Sequence, residues 1–429
     1  MDSHSLCSHR SHRRLNWLAL AVGLIGFTAA FAFQIGPAIG IQIDFFIYYS
    51  GVKRAWSGVS PYDISWCVRE VEASFPPQPG EPTMEAGFFL SPQGFALLSP
   101  WTILPWHYAR WIWVATSAFG ATLCGLLAGL FGRDPAFRGW GWGLIVVAIL
   151  LNPLTLRAVS LGQTGLFVIG CVVLGQFFRE RGRPLLATLF WSGCGLKPHL
   201  GLALIIFTAY QGGYRRAATV AGAVVIGVII GASVLGNPLT VILEYVRYLG
   251  PAHQSVGFNR ITNDQILSWN RIVLACGGPA IELTAPGVIA GFAVAIGLLW
   301  AVQVRGQTRP SDSWALAATV AWTPLVTPLH GYELVAWTLM VPYLCLLYDR
   351  RRWADFAFLL AMFGIVSIPR GAVASLSAGF PAVAPLVLSY RSVVVLVVAL
   401  YYLIRKPPSL AIVAVRVLDV NSPATNRTI

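Results

Sequence analysis

Long apolar runs recur along the whole chain, and short basic clusters close most of them. Crossing a bilayer takes about 20 apolar residues as a helix. In lipid the backbone must satisfy its own polar groups, so unbroken apolar runs of that length read as helices. Composition points the same way. Over 429 residues, hydrophobic types make up 56% and charged types only 11%, where a soluble chain carries roughly 25% charged residues. That is too little charge to coat a water-soluble globule, which excludes soluble enzymes, nucleic-acid binders and disordered chains. The expected fold class is all-α, a polytopic helical membrane protein.

The net charge of +13 sits in clusters between the runs: Arg10, Arg13 and Arg14; Arg179, Arg181 and Arg183; Arg215 and Arg216; Arg350, Arg351 and Arg352; Arg405 and Lys406. This is the positive-inside pattern rather than a nucleic-acid footprint. It predicts a cytoplasmic basic segment at 1–14, a transmembrane domain over 15–404 and a cytoplasmic tail at 405–429. Large outer loops fall at 38–86 and 237–283, and the aromatic stretches of the first read as interfacial helices. Residues 88–104, broken by Ser91-Pro92 and Ser99-Pro100, read as a partial or re-entrant helix. Crossings are expected at 109–131 and 140–156, followed by an outer turn at 157–163. Two short helices are expected within 184–210 with Lys197-Pro198-His199 at their bend, and later crossings include 285–304 and 382–404. The total is about twelve crossings, with both termini cytoplasmic. Seven cysteines form no CxxC pair and no Cys/His metal spacing. A Cys67–Cys276 pairing across the outer loops stays open, and no metal or cofactor is expected.

Polar residues from separate parts of the chain converge on the outer level: Asp44, Arg157, Gln163, Lys197, His199, Arg260, His330 and Glu333. Such groups are costly at membrane depth and commonly mark a site. Each also has a plain structural reading. Asp44 could cap the helix it opens, as Asp63 should cap the next one. His330 could be an ordinary neutral polar side chain. Lys197 has no acidic neighbour in sequence, so its ammonium needs an anion from elsewhere or a route to water. A carboxylate suited to general-base work beside cations suited to a lipid phosphate describes group transfer from a lipid phosphate to an alcohol. No phosphate-binding glycine loop supports a nucleotide donor.

The run Asp44-Phe-Phe-Ile-Tyr48 through Gly58-Val-Ser-Pro-Tyr62-Asp63 resembles the first outer loop of glycosyltransferase family 87, polyprenyl-phosphate-mannose-dependent mannosyltransferases of the GT-C superfamily. Phe89-Leu-Ser-Pro-Gln93 with Leu98-Ser-Pro100, Leu161-Gly162-Gln163, Gly195-Leu-Lys197-Pro198 and Trp322-Thr-Pro324 through His330 resemble that family's later motifs, in order. Gly331 follows His330 where a second histidine is common in the family.

The resemblance implies an inverting membrane transferase of GT-C type. It would move a hexose, mannose by the family's habit, from a polyprenyl-phosphate donor to a hydroxyl of a glycolipid or glycan acceptor on the exoplasmic face of the cell (inner) membrane. Asp44 takes the role of general base and His330 that of a second active-site residue. Lys197, Gln163, Arg260, Glu333 and Tyr48 are the candidate substrate contacts, with Lys197 facing the donor phosphate on grounds of charge. The alternatives are a transporter or flippase of lipid-linked sugars, which should show repeated halves, and a non-catalytic membrane subunit in which Asp44 only caps.

Overall fold

The computed structural model describes residues 18–19, 21–29, 42–76, 87–131, 141–255, 263, 265–279, 291, 311–327 and 329–405. The basic segment at 1–14, the crossing expected at 285–304 apart from Gly291, Arg260 and nearly all of the tail lie outside those residues. What is described is helical, apart from one two-residue antiparallel ribbon that pairs Ile266 with His330 and Leu267 with Leu329. By length and hydropathy, Pro198–Leu235 and Gly331–Asp349 suffice to cross a membrane, and two bent pairs add Gly143–Leu150 with Pro153–Leu161 and Trp353–Ser367 with Arg370–Ser377.

The aromatic first loop forms two helices. In Ile43–Trp56, Asp44 lies in the first turn and Lys53 and Arg54 in the last, each on the end its charge favours. Its apolar face packs on the Trp106–Phe131 helix, where Phe45 stacks on Trp113 with ring centroids 4.6 Å apart. Asp63 caps Ile64–Ser74 as expected: its carboxylate accepts from the Trp66 N–H at 3.2 Å and the Ser65 hydroxyl at 2.6 Å. The proline-broken segment yields only the short helices Gln93–Leu97 and Ser99–Thr102.

Three expectations need correction. Gly141–Leu150 ends earlier than 156, because Asn152-Pro153 starts a new helix, Pro153–Leu161, bent 55° from the first. The Asn152 carboxamide accepts from the Leu154 N–H at 2.8 Å and donates to the Ser367 hydroxyl at 2.8 Å, fixing the break. Arg157 is therefore helical, and the turn shrinks to Gly162 and its neighbours. Likewise 382–404 is not one helix: Ala384–Leu388 and Tyr390–Ile404 meet at Ser389, whose hydroxyl donates to Pro385 O at 2.8 Å and accepts from Arg271 Nε at 3.0 Å. Cys67 and Cys276 are both free, Cys67 buried and Cys276 exposed, so they do not pair. Pro198–Ala232 is broken where the helices expected within 184–210 end. Its 35 residues would make a rod of about 50 Å, against a hydrocarbon core of about 30 Å. Gly212 and Gly213, the latter at φ 74°, break it just before Arg215 and Arg216.

The Pro184–Ser192 helix passes through a 3-10 turn, Gly193–Leu196, to Lys197, whose extended backbone (φ −118°, ψ 97°) precedes Pro198. This is the bend expected from the sequence. Another 3-10 helix, Gly331–Met340, follows the ribbon and leads into Val341–Asp349. Two basic clusters meet in space, since Arg352 and Arg405 both bind the Asp355 carboxylate, Arg405 Nε at 2.9 Å.

Gly162 closes the Pro153–Leu161 helix in the left-handed region, at φ 73°. A Cβ there would stand 2.5 Å from Phe45 Cβ and 3.1 Å from Gln42 Cβ. Gly162→Ala is thus expected to cost at least about 1–3 kcal/mol from overpacking alone, with further cost from the positive φ. Its thermal unfolding in detergent should shift downward; an unchanged midpoint would show that the two helices are not in close contact.

Candidate active site

Four elements bring their polar side chains to one place: the start of Ile43–Trp56, the turn after Pro153–Leu161, the extended Lys197 and the start of Gly331–Met340. Asp44 is not the cap of its helix. Gln42 holds that position, at φ 44°, without a side-chain cap. Asp44 Oδ2 instead accepts from Gln163 Nε2, and Oδ1 has no donor among the described residues. The same Gln163 nitrogen donates to the Tyr332 hydroxyl at 3.1 Å, while Gln163 Oε1 accepts from Lys197 Nζ at 3.0 Å. The amide orientation is therefore fixed at both ends. Lys197 Nζ also donates to Glu333 Oε1, and Glu333 Oε2 lies 3.4 Å from His199 Nε2. One continuous chain of contacts runs Asp44, Gln163, Lys197, Glu333, His199.

The anion that Lys197 requires from elsewhere is thus Glu333, far away in sequence and adjacent in space. His330 enters through the ribbon; its ring stacks on Tyr332, 5.2 Å between centroids and 9° between planes. Tyr48 lies on the Asp44 helix, buried, edge-on to Phe88 at 6.1 Å. Asp44, Gln163, Lys197, Glu333 and His330 are brought into one network; Tyr48 sits beside it, and Arg260 is outside the described residues. Sequence reasoning missed Tyr332, and it placed His199 on the outer level without naming it among the candidate substrate contacts. Tyr332 carries no spacing signature.

Burial pushes the Asp44 carboxyl up from 3.8 to about 6, against the Gln163 hydrogen bond and the Lys197 and Arg157 charges. A carboxylate with that value and one uncommitted oxygen is suited to take a proton near neutral pH. Among the described residues no three His, Cys, Asp or Glu side chains converge as metal ligands.

Apolar helices around one ordered polar cluster are the build of an enzyme embedded in a membrane. Residues 88–328, more than half of the chain, match glycosyltransferase family 87, and the chain belongs to that family. It is accordingly a membrane glycosyltransferase, acting on a sugar donor and an acceptor. No curated protein matches the chain.

Proposed function

We propose that this glycosyltransferase moves a hexose, mannose in the first instance, from a polyprenyl-phosphate donor to a hydroxyl of a glycolipid or glycan acceptor, with inversion. The acceptor oxygen forms the new bond to the anomeric carbon as the bond from that carbon to the phosphate oxygen breaks. The electron pair leaves with the phosphate, and the acceptor proton passes to Asp44 Oδ1. The observation that carries this reading is Asp44 itself: a carboxylate outside any spanning helix, tied through one oxygen to Gln163, with its other oxygen uncommitted and two cations acting on it. His330, stacked on Tyr332, is suited to orient donor or acceptor. About twelve crossings, interfacial helices in the first loop, cytoplasmic termini and an exoplasmic site in the inner cell membrane complete the proposal.

Membranes holding the protein, incubated with labelled polyprenyl-phosphate sugars, should accumulate a labelled glycolipid or glycan. No product from any polyprenyl-phosphate hexose, with a nucleotide sugar accepted instead, would sink the donor assignment. The base also predicts a pH profile. Asp44 must be ionised to accept a proton, and its carboxyl titrates at about 6. Turnover should be level above that value and fall about tenfold per pH unit below it. A rate unchanged down to pH 4.5 would exclude a carboxyl titrating near 6 as the base.

A further inference from the structure

Among the described residues two cations act on Asp44, Lys197 and Arg157, and their surroundings differ. Lys197 is 8% exposed at its side chain, donates to Gln163 Oε1 at 3.0 Å and is paired with Glu333, itself 11% exposed. A phosphate brought to Lys197 would also be brought against the Glu333 carboxylate, where like charges repel strongly in a poorly solvated site. Arg157 is exposed and makes no ion pair among the described residues. It lies on the Pro153–Leu161 helix one turn before Leu161, and the Gly162 that ends this helix packs against Phe45 and Gln42, the residues around Asp44. A guanidinium offers a planar fork of donors that matches phosphate oxygens.

We propose that Arg157 receives the phosphate of the lipid donor and of the lipid-phosphate product, and that Lys197 serves instead as a positioning residue, holding the Gln163 amide that holds Asp44. The proposal rests on the donor class given under Proposed function. It fits the reaction's charge balance. As the bond to the anomeric carbon breaks, the phosphate gains one negative charge, and an open cation can follow that change where a cation already neutralised cannot. The Arg157 charge reaches the Asp44 carboxyl, so the leaving group and the base lie within one field.

The test is equilibrium binding of undecaprenyl phosphate to the full-length protein in nanodiscs, with undecaprenol as the uncharged control. Arg157→Gln should weaken undecaprenyl phosphate binding about 10–100-fold, as loss of a charge-assisted contact does. Undecaprenol binding should be unaltered, which also reports that the variant is folded, and Arg157→Lys should restore part of the loss. The double variant Lys197→Gln/Glu333→Gln should bind undecaprenyl phosphate within about threefold of wild type while turning over poorly, because Asp44 is no longer held. Arg157→Gln binding as tightly as wild type, or the double variant alone losing the phosphate, would overturn the assignment and leave the transferase reading intact. Wild-type protein that binds undecaprenyl phosphate no better than undecaprenol would overturn the donor reading itself, and this inference with it.

Discussion

Asp44→Asn is expected to lower hexosyl transfer by about 10²–10⁴-fold, the usual contribution of a positioned base, while the protein remains folded. The substitution keeps shape and volume, and an Asn carbonyl oxygen still accepts from the Gln163 carboxamide that Asp44 now engages. What disappears is the ability to take a proton. Turnover measured with a labelled lipid donor, beside thermal unfolding in the same detergent, separates the two roles. A variant that unfolds at the wild-type temperature and retains more than a tenth of wild-type turnover would remove Asp44 from the chemistry.

The second large effect concerns the Lys197–Glu333 pair. Both side chains are nearly buried, at 8% and 11% exposure, and each neutralises the other. Removing one partner leaves an uncompensated charge, at a cost of about 3–5 kcal/mol. Lys197→Met or Glu333→Met alone should therefore lower the unfolding temperature steeply. Lys197→Met with Glu333→Met should recover most of the loss, since two apolar side chains can replace a buried pair at little cost. If the double variant is as unstable as the sum of the singles, the pair is not coupled. A structural role and a supporting role in activity are separable here, because the double variant should be stable yet inactive: Gln163 would lose the donor that fixes its amide.

Much of the site was legible because polar residues inside apolar runs stand out. Asp44, Gln163, Lys197, His330 and Glu333 were each visible from cost alone. Their pairing was not. Glu333 and Lys197 lie on different elements, and no local pattern connects them. Tyr332 escaped because a tyrosine in an apolar context is as readily core as site, and its role depends on meeting Gln163 at 3.1 Å. The helix ends follow the same logic. Asp63 and the Lys197-Pro198 bend carry local chemistry and fell where expected. The Asn152-Pro153 break was passed over although Asn followed by Pro is a strong start signal, because hydropathy continues across it. Ser389 offers no such signal; its interruption depends on Arg271, distant in sequence.

The 3-10 segment Gly331–Met340 has a mechanical consequence. Ten residues is long for this tightly wound form. Rewinding them with α pitch would shorten the segment by about 5 Å, the difference between rises of about 2.0 and 1.5 Å per residue. With its far end anchored in Val341–Asp349, that contraction would draw Tyr332 and Glu333 away from Gln163 and Lys197 together. A single change of winding would part the Gln163–Tyr332 and Lys197–Glu333 contacts in one movement.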